Sequence, residues 1–387
     1  MTDKPRILAL FGSAILFGQE RGNMEALCAL RDLGGKVLCL IRDEQWNTVV
    51  PPGLDAVKLD WRKVPYIEQK LPGRMRWFLF RNPIAFLKAN WTFLRIAFQF
   101  KPTHVHAFNL LYTLNFWLAL SVTRIPLVFR AGDTPVRHNW FWRWLWRQTV
   151  RRATTFVANS QFLAKELVNS GVPSEKISVI YGVPPRRGDI AQSFSPPKNC
   201  SNTDIVFAYI GRITAEKGVD VLIDAFRSIL QTAPAVRLLI AGRISDWQGD
   251  AWARALKART LEAPILNDRV AFLGEVEDVP GLLKFSSVHV CPTIGEESFA
   301  NVVLEAKSAK RASIVFPSGG LPEMVSNGVD GMICAEKTSA SLAKAMRYYV
   351  DHSEFVRCHG IAAGRSLDRL GINRFQEKWA SVYGVRR

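Results

Sequence analysis

The sequence predicts an α/β protein made of two doubly wound domains, and three observations lead to this prediction. Strand-like apolar runs alternate with helix-like periodic stretches along the whole chain, as in parallel sheets with crossover helices. A segment rich in Pro, Gly and Ser, residues 181–202, interrupts the alternation, which then restarts. The 387 residues are enough for two domains of ordinary size.

Each predicted domain has its own series of strands and helices. In the first half, the predicted strands are 6–11, 36–41, 104–108, 126–130 and 155–158, and the predicted helices are 23–33, 110–122 and 161–169. In the second half, strands are predicted at 204–210, 237–241, 270–273, 288–292 and 313–316, with a helix at 219–231. We therefore expect an N-terminal domain over 1–190, a C-terminal domain over 203–370, and a last helix within 371–387 that packs back on the N-terminal domain.

The composition excludes a disordered chain and a polytopic membrane protein, because 48% of the residues are hydrophobic and 22% are charged. The six Cys are scattered without a Cys-x-x-Cys pair, which favours a reduced, cytoplasmic protein without a zinc or disulfide framework. Lys4 and Arg6 precede an apolar run, residues 7–17, which is read either as a signal peptide or as a first buried strand. The strand is favoured, because Gln19 to Gly22 follow instead of a small-residue cleavage site.

The charge distribution predicts a polyanionic partner for the first half. The formal net charge is +17. Residues 1–190 hold 27 Lys and Arg against 13 Asp and Glu, whereas the remaining residues hold 24 against 21. An anionic membrane surface, nucleic acid or a phosphorylated substrate would each match such an excess of positive charge.

The turn after the strand at 204–210 carries the strongest local signal. Arg212 and Lys217 lie five residues apart between Gly211 and Gly218, just before a helix. A forked guanidinium, an ammonium and a helix N-terminus together suit a diphosphate. The loop is neither a Walker A loop nor a Gly-x-Gly-x-x-Gly loop. A solvated basic turn with a Glu216–Lys217 pair is the alternative interpretation.

A pair of acids forms the second signal. Glu297 lies in the loop after the strand at 288–292, and Glu305 lies two turns into the following helix. Carboxylates eight residues apart can reach one ligand, and they accept hydrogen bonds from ribose or sugar hydroxyls. The alternative is an unrelated surface acid and helix-face acid.

Together these motifs resemble the nucleotide-binding domain of the retaining GT-B glycosyltransferases of family 4, the glycosyl transferases group 1. The resemblance is carried in order by GRITAEKGVDVLIDAF, LLIAG, FLGEVEDVPGLL, ESFANVVLEA and GGLPEMVSNGVDGMI. Residues 156–183 resemble the segment that enters the linker, and PRILALFG with residues 18–23 resembles the first strand and glycine loop. The resemblance covers most of the chain and implies two Rossmann-like domains that face a central cleft.

The resemblance implies transfer of a sugar from a nucleotide-diphosphate sugar, with retention at the anomeric carbon. Arg212 and Lys217 would bind the diphosphate, Glu297 the donor sugar and Glu305 the ribose. The base would meet the backbone near Val276, and Gly22 would let a loop of the N-terminal domain approach the phosphates. Backbone N–H groups at a helix start would face phosphate at four further residues, which are Ser298, Phe299, Ala300 and Asn301.

The sequence also departs from the family pattern. Ser298 and Ala300 stand where glycines are frequent, and residues 307–313 replace a stretch with Gly and Pro. Gly132 stands where many members carry a His, which leaves Arg130, Asp133 and His138 as candidates in the N-terminal domain. His106 matches a strand His of the family; with His104 it forms a His-x-His pair, for which we expect a structural role rather than a metal site.

No metal and no resident cofactor are expected. The chain has no Asp-x-Asp motif, so the side chains themselves must meet the phosphate charge. The donor is expected to be a UDP- or GDP-sugar, and the enzyme a metal-independent hexosyltransferase of EC 2.4.

Residues 137–152, RHNWFWRWLWRQTVRR, predict a basic amphipathic helix. Arg143, Arg147 and Arg151 form one stripe, flanked by Trp140 and Trp144. Residues 61–102 add nine Lys and Arg with one acid and several aromatic side chains. Arg beside Trp is typical of a membrane interface, while a solvated helix face and a soluble anionic acceptor remain open.

The function predicted from the sequence is a retaining glycosyltransferase of cell-surface polysaccharide or glycolipid synthesis. It would act on a glycan or lipid-linked acceptor as a peripheral protein at the inner face of the cell membrane, without a nucleic acid partner. The alternatives are a basic membrane- or anion-binding protein on a degenerate GT-B scaffold, a nucleotide-sugar epimerase and a glycan phosphorylase.

Overall fold

A computed structural model describes residues 4–11, 18–42, 59–65, 83–135, 139–184, 194–197, 200, 204–233, 235–244, 250–369 and 374–385. The chain divides into two compact units. Unit 1 comprises residues Met1–Gly188 and Asn373–Arg387, and unit 2 comprises residues Asp189–Ile372. Each unit is built around one parallel sheet with helices, so the predicted class of two doubly wound α/β domains is confirmed.

The sheet of unit 1 has seven parallel strands in the order β3-β2-β1-β4-β5-β6-β7. The strands are β1 Arg6–Leu10, β2 Lys36–Arg42, β3 Asp60–Val64, β4 His104–Ala107, β5 Leu127–Ala131, β6 Ala153–Ala158 and β7 Ile177–Val179. The middle strands β1, β4 and β5 are almost wholly buried, as expected for a sheet covered on both faces. The strand order reverses between β1 and β4, which is where doubly wound domains bind ligands.

The helices of unit 1 enclose that sheet. They are α1 Gly18–Asp32, α2 Pro83–Phe100, α3 Leu110–Asn115, α4 Trp117–Thr123, α5 Trp140–Arg152, α6 Gln161–Asn169 and, near the C-terminus, α15 Phe375–Val382. A 3₁₀ turn at Ser174–Lys176 precedes β7. The C-terminal helix α15 packs on α1, with Trp379 fully buried in the core of unit 1.

The sheet of unit 2 has six parallel strands in the order β10-β9-β8-β11-β12-β13. The strands are β8 Ile205–Ile210, β9 Val236–Ala241, β10 Val270–Gly274, β11 Val288–Cys291, β12 Ala312–Val315 and β13 Gly331–Ile333. The reversal falls between β8 and β11, which pair directly. Loops that follow β8 and β11 therefore begin side by side at one edge of the sheet.

The helices of unit 2 are α7 Val219–Leu230, α8 Asp250–Glu262, α9 Pro264–Asn267, α10 Val279–Phe285, α11 Asn301–Ser308, α12 Leu321–Met324, α13 Ser339–Asp351 and α14 Glu354–Arg369. A 3₁₀ turn at Ala215–Lys217 precedes α7. The apolar face predicted for α7 is buried: Leu222, Phe226 and Ile229 are at most 3% exposed.

Two sequence predictions were wrong in detail. Residues 18–23 were assigned to a glycine loop, but α1 begins at Gly18, so Gly22 lies in the second turn of a helix. Residues 110–122 were predicted as one helix, but the chain turns at Phe116 and forms α3 and α4. Much of the predicted linker at 181–202 lies outside the described residues.

Candidate active site

The loop from Gly211 to Gly218 is held in shape by backbone contacts that only glycine allows. Gly218 has a φ of 69°, and a Cβ there would lie 2.1 Å from the carbonyl oxygen of Pro292. Gly242 has a φ of 146°, and a Cβ there would lie 1.7 Å from the carbonyl oxygen of Gly211. These contacts fix the loop after β8 against the ends of β9 and β11.

Arg212 lies exposed in this loop. The buried hydroxyl of Tyr209 donates a hydrogen bond of 2.6 Å to the carbonyl oxygen of Arg212, so the backbone of the residue is anchored. Its guanidinium forms no ion pair with any residue in the described parts of the chain, and it is available to a ligand.

Lys217 and Glu297 come together as an ion pair between Nζ and Oε2, although 80 residues separate them. Their side chains are 25% and 16% exposed, respectively. The two sequence motifs therefore meet at one place. A partly exposed pair of this kind keeps the ammonium near a site without leaving a buried charge unpaired.

The loop after β11 is fastened to the loop after β8. The carbonyl oxygen of Glu216 accepts hydrogen bonds from the backbone N–H groups of Ile294, at 2.9 Å, and Gly295, at 3.1 Å. Lys337 donates from Nζ to the carbonyl oxygen of Ile294 at 3.0 Å and to Glu296 at 3.1 Å. Sequence reasoning missed Lys337, because it lies far along the chain and belongs to no recognisable motif.

The backbone of Glu297 is supported by a glycine pair after β12. Gly320 donates its N–H to the carbonyl oxygen of Glu297 at 2.7 Å. Gly319 has a φ of 55°, and a Cβ there would lie 2.3 Å from the same oxygen. These glycines stood inside the recognised GGLPEMV stretch, but only the structure shows that they position Glu297.

The segment after Glu297 leads into α11. Ser298, Phe299 and Ala300 are buried, and Ala300 is the N-cap residue, without a side-chain oxygen to cap the helix. Asn301 begins α11, and Glu305 is half-buried one turn further on. Burial and the nearby Glu297 raise the pKa of the Cys291 thiol, at the end of β11, to about 11, so this side chain is uncharged at neutral pH.

The basic stretch at 307–313 has a structural role. Lys307 is fully buried and pairs with Asp330 at 3.0 Å, and its Nζ also donates to Ser366 Oγ at 2.8 Å. Arg311 donates from Nε to the carbonyl oxygen of Leu283 at 3.0 Å. These contacts anchor α11 to its neighbours.

Val276 lies beside a cavity of about 300 Å³ after β10. The cavity is lined by Phe194, Ser195, Leu273, Glu275, Val276, Glu277 and Asp278. Its mixed apolar and polar lining is compatible with a planar heterocycle.

In unit 1, the candidate residues lie at the carboxyl ends of β4 and β5. His106 is buried between Tyr383, whose hydroxyl lies 2.6 Å from Nδ1, and Asn23, whose Oδ1 lies 2.8 Å from Nε2. Burial, with the charge of Arg130, lowers the pKa of His106 to about 3, so the ring is neutral. The space above Gly132 is filled by Gln19, since a Cβ at Gly132 would lie 2.7 Å from its Nε2.

The other candidates of unit 1 differ in exposure. Arg130 is 5% exposed and lies against Gly22, whereas Asp133 is exposed. His138 lies outside the described residues. Among the described residues, no group of three or more His, Cys, Asp and Glu side chains is placed to hold a metal ion.

The predicted basic helix is α5, and its buried and exposed sides are those that the sequence indicated. Leu145 and Trp146 are buried, whereas Trp140 and Trp144 are 61% and 42% exposed. The arginine stripe 143, 147 and 151 is exposed. Within the described part of the chain, every helix falls short of the length or apolarity needed to cross a bilayer. Trp77, Phe78 and Phe80 of the aromatic region lie outside the described residues.

Two parallel α/β units of this topology define the GT-B architecture. The crystal structure of Anabaena Alr3699/HepE in complex with UDP superimposes with a TM-score of 0.78 at 19% sequence identity, covering 98% of this chain and 100% of that one. At this identity the likeness shows the fold.

Family models identify the chain further. Glycosyltransferase Family 4 matches residues 18–183, and Glycosyl transferases group 1 matches residues 204–352. The chain therefore belongs to the family 4 glycosyltransferases of GT-B type.

The similar proteins include two mannosyltransferases. A lipopolysaccharide core biosynthesis mannosyltransferase of Rhizobium leguminosarum bv. viciae is 26% identical over 68% of this chain and 72% of its own length. A GDP-mannose-dependent α-(1-6)-phosphatidylinositol dimannoside mannosyltransferase of Mycobacterium tuberculosis is 26% identical over 54% of this chain. The alignment spans about half, 52%, of that relative.

Proposed function

We propose that this glycosyltransferase moves a hexose, with retention, from a UDP- or GDP-sugar to a glycan or lipid-linked acceptor in cell-surface polysaccharide or glycolipid synthesis. The observation that carries the proposal is the meeting of Lys217 with Glu297 beside the exposed Arg212. Two cations and a carboxylate at the carboxyl edge of a doubly wound sheet suit a diphosphate joined to a polyhydroxylated sugar.

The charges of the site explain how transfer is accelerated. As the bond between C1 and the diphosphate oxygen breaks, negative charge accumulates on the leaving group. Arg212 and Lys217, fixed by a rigid loop, stabilise this charge more in the transition state than in the ground state. Glu297 holds Lys217 in place before the donor arrives and accepts hydrogen bonds from the sugar afterwards.

The remaining site residues bind the nucleotide in this proposal. Glu305 accepts hydrogen bonds from the ribose, and the backbone near Val276 meets the base at the cavity after β10. Backbone N–H groups of residues 298–301 face a phosphate at the start of α11, where the helix dipole favours negative charge. Gly22 has no side chain that would project from the second turn of α1.

The relatives support this choice of donor and acceptor class. One is described as a lipopolysaccharide core biosynthesis mannosyltransferase, and another as a GDP-mannose-dependent α-(1-6)-phosphatidylinositol dimannoside mannosyltransferase. A structural neighbour was crystallised with UDP-glucose. These descriptions concern a nucleotide sugar as donor and saccharides of the cell envelope.

We also propose that unit 1 docks on an anionic membrane at its inner face. Helix α2 has two apolar faces: one is buried in the core, and the other is exposed, with Ile84, Leu87, Trp91 and Phe98 between 58% and 82% accessible. An apolar stripe on a surface helix is otherwise unfavourable in water. The exposed Trp140 and Trp144 of α5 add aromatic rings to the same unit.

The charge around these helices favours a lipid surface over a second copy of the chain. Between Glu68 and Glu166 the chain has fifteen Lys and Arg and a single acid, Asp133. Two such faces would repel each other, whereas each cation gains up to about 1 kcal/mol near an anionic leaflet. A lipid-linked acceptor would then lie at the surface to which unit 1 binds.

The test of the transfer reaction combines binding with turnover. A thermal-shift screen with UDP, GDP, ADP and their sugars identifies the donor. Arg212→Ala and Lys217→Ala are then expected to lower the transfer rate at least a hundredfold, because one lost oxyanion donor raises a barrier by about 2.7–4 kcal/mol. Their melting temperatures should stay close to that of the wild type.

The matched control is Arg227→Ala, which removes a cation of α7 that forms only a partly exposed pair with Asp224. This variant should keep wild-type turnover. Near-normal turnover in Arg212→Ala or Lys217→Ala would contradict the proposed site.

A further inference from the structure

A buried ion pair lies on the side of α11 that is turned away from Glu305. Lys307 Nζ and Asp330 Oδ2 are 3.0 Å apart, and both side chains are at most 2% exposed. Lys307 follows Glu305 by two residues, which turns its side chain by about 200° around the helix axis. The half-buried Glu305 and the ion pair therefore lie on opposite sides of the same short helix.

The pair joins α11 to two other elements of unit 2. Asp330 precedes β13, and its Oδ1 accepts a hydrogen bond of 2.7 Å from the N–H of Ser326. Lys307 also donates from Nζ to Ser366 Oγ of α14 at 2.8 Å. The hydroxyl of Ser366 donates in turn to the carbonyl oxygen of Ala363 at 2.8 Å. These hydrogen bonds tie the back of α11 both to the loop before β13 and to α14.

Two glycines let α14 approach the C-terminal end of α11 closely. A Cβ at Gly360 would lie 2.3 Å from the carbonyl oxygen of Lys310, and one at Gly364 would lie 3.2 Å from its Cγ. Lys310 itself has a φ of 56°, just beyond the end of α11. This close packing leaves the C-terminal end of α11 little room to shift.

The other contacts of α11 are less directional. Val303, Leu304 and Ala306 are fully buried, but apolar contacts do not define one rotation of a helix. Ala300 at the N-cap has no side-chain oxygen to fix the first turn. A helix of two turns depends on tertiary contacts for its position. The hydrogen-bonded ion pair therefore has a large share in setting the rotation of α11, and with it the direction of Glu305.

We propose that Lys307 and Asp330 are positioning residues of the donor site, which hold α11 in the rotation that presents Glu305 to the ribose of the nucleotide. The inference rests on the proposed function, in which Glu305 accepts hydrogen bonds from the ribose. A buried ion pair adds little stability compared with uncharged side chains of similar volume, but it restricts how the groups it joins can lie. The pair acts on donor affinity more than on stability.

The test variant removes both charges together. Loss of Lys307 alone would leave a buried carboxylate unpaired and lower the melting temperature, which would obscure an effect on binding. In Lys307→Met/Asp330→Asn the side-chain volumes are nearly kept. The amide oxygen introduced at position 330 can still accept the hydrogen bond from the N–H of Ser326.

The experiment measures the melting temperature and the Kd for UDP and GDP with the full chain. For the nucleotide that the wild type binds more tightly, Kd should rise roughly tenfold or more in the pair variant, because a hydrogen bond to a carboxylate is lost. The melting temperature should stay close to that of the wild type. If the pair variant does not fold, Ser366→Ala keeps both charges, removes one partner of Lys307, and should raise Kd about threefold.

A second buried ion pair of unit 2 provides the matched control. Arg237 Nε and Asp204 Oδ2 are 2.6 Å apart, and their side chains are 11% and 6% exposed. This pair lies at the amino ends of β8 and β9, at the opposite edge of the sheet from Arg212. Arg237→Met/Asp204→Asn should therefore leave Kd unchanged.

Glu305→Gln tests whether the pair acts through Glu305. If it does, adding Lys307→Met/Asp330→Asn to Glu305→Gln should change Kd by less than about twofold, since the ribose contact is already weakened. Fully additive losses would show that the pair acts elsewhere in unit 2, which would overturn the inference.

The remaining outcomes separate this inference from the proposed function. Unchanged Kd in the pair variant or in its substitute Ser366→Ala, or an equal loss in the control pair, would overturn the positioning role. Binding that is lost in Lys217→Ala and intact in the pair variant refutes the positioning role alone. Absence of UDP and GDP binding by the wild type refutes the proposed donor site and this inference together.

Discussion

Several buried ionisable side chains of this protein are either paired with a group of opposite charge or neutral. Lys307 keeps its charge in the core because Asp330 and Ser366 satisfy it. Lys217 lies at a partly exposed site, where its ammonium pairs with the Glu297 carboxylate. His106 and His289, both fully buried, stay neutral.

The two neutral histidines make stability fall in mild acid. Burial lowers the pKa of each to about 3 from an ordinary value of 6.5. Below pH 6.5 the unfolded chain binds protons that the folded chain cannot bind until about pH 3. The free energy of unfolding should therefore drop by up to about 1.4 kcal/mol per pH unit per histidine in this window.

Urea unfolding at pH 7 and pH 5 measures this effect. His289→Gln should reduce the difference between the two pH values, while replacement of the exposed His352 should leave it unchanged. An identical pH dependence in wild type and His289→Gln would contradict the assignment of His289 as a buried neutral side chain.

At the residue scale, the sequence predicted the site residues that lie within contiguous motifs and missed those that reach the site only through tertiary contacts. Arg212, Lys217 and Glu297 were predicted because each stands in a loop with a recognisable pattern. Gly319 positions Glu297 from a different loop, and Lys337 reaches the same region from still further along the chain. No local spacing connects such residues, so their roles depend on the folded sheet.

The secondary structure elements that the sequence predicted are likewise those marked by a contiguous local pattern. The middle strands of both sheets were predicted because the buried middle of a parallel sheet is a continuous apolar run, whereas β3, β7 and β13, each at an edge of its sheet, were not predicted. The break between α3 and α4 was missed because neither Pro nor Gly marks it. There the carbonyl oxygen of Asn115 accepts a hydrogen bond of 3.0 Å from Asn90 Nδ2 of α2, and Asn90 Oδ1 accepts from the N–H of Ala119 at 2.9 Å. One buried asparagine thus bonds to both helices on either side of the break.

Helix α2 is the element that best tests membrane docking. Replacing both Trp91 and Phe98 with Ser removes the two exposed aromatic rings of its apolar stripe. If these rings enter the interface, each contributes about 1 kcal/mol, so that vesicle binding should weaken roughly tenfold or more. Co-sedimentation with vesicles containing anionic lipid measures this change, and binding should fall as salt rises.

A variant of α6 provides the control for this prediction. Val168→Ser changes an exposed apolar residue of the same unit, 48% accessible, and should bind vesicles like the wild type. Failure of the wild-type protein to bind anionic vesicles at low salt would refute membrane docking. Dimerisation that is lost in the α2 variant would identify a second copy as the occupant instead.

On the scale of the whole molecule, charge and apolar exposure are divided between the two units. The excess of positive charge is concentrated in the first half of the chain, and so are the exposed tryptophans. The second half is nearly balanced; two of its cations, Arg212 and Lys217, lie in one motif loop, and Lys307 is paired in the core. This division matches a protein whose first unit meets an anionic acceptor surface and whose second unit binds a small donor.

The cations of the second unit also predict how the enzyme stabilises the negative charge of its leaving group. If Arg212 and Lys217 supply the positive charge that a diphosphate requires, a divalent cation adds little to the transition state. Transfer in the presence of excess EDTA should therefore proceed within about twofold of the rate with Mg²⁺. Direct mass-spectrometric measurement of the product avoids coupling enzymes that need metal themselves. Adding Mg²⁺ or Mn²⁺ should also fail to restore Lys217→Ala, because a mobile ion cannot reproduce a cation fixed by Glu297. A strict requirement of the wild type for either metal would show that the two side chains are insufficient.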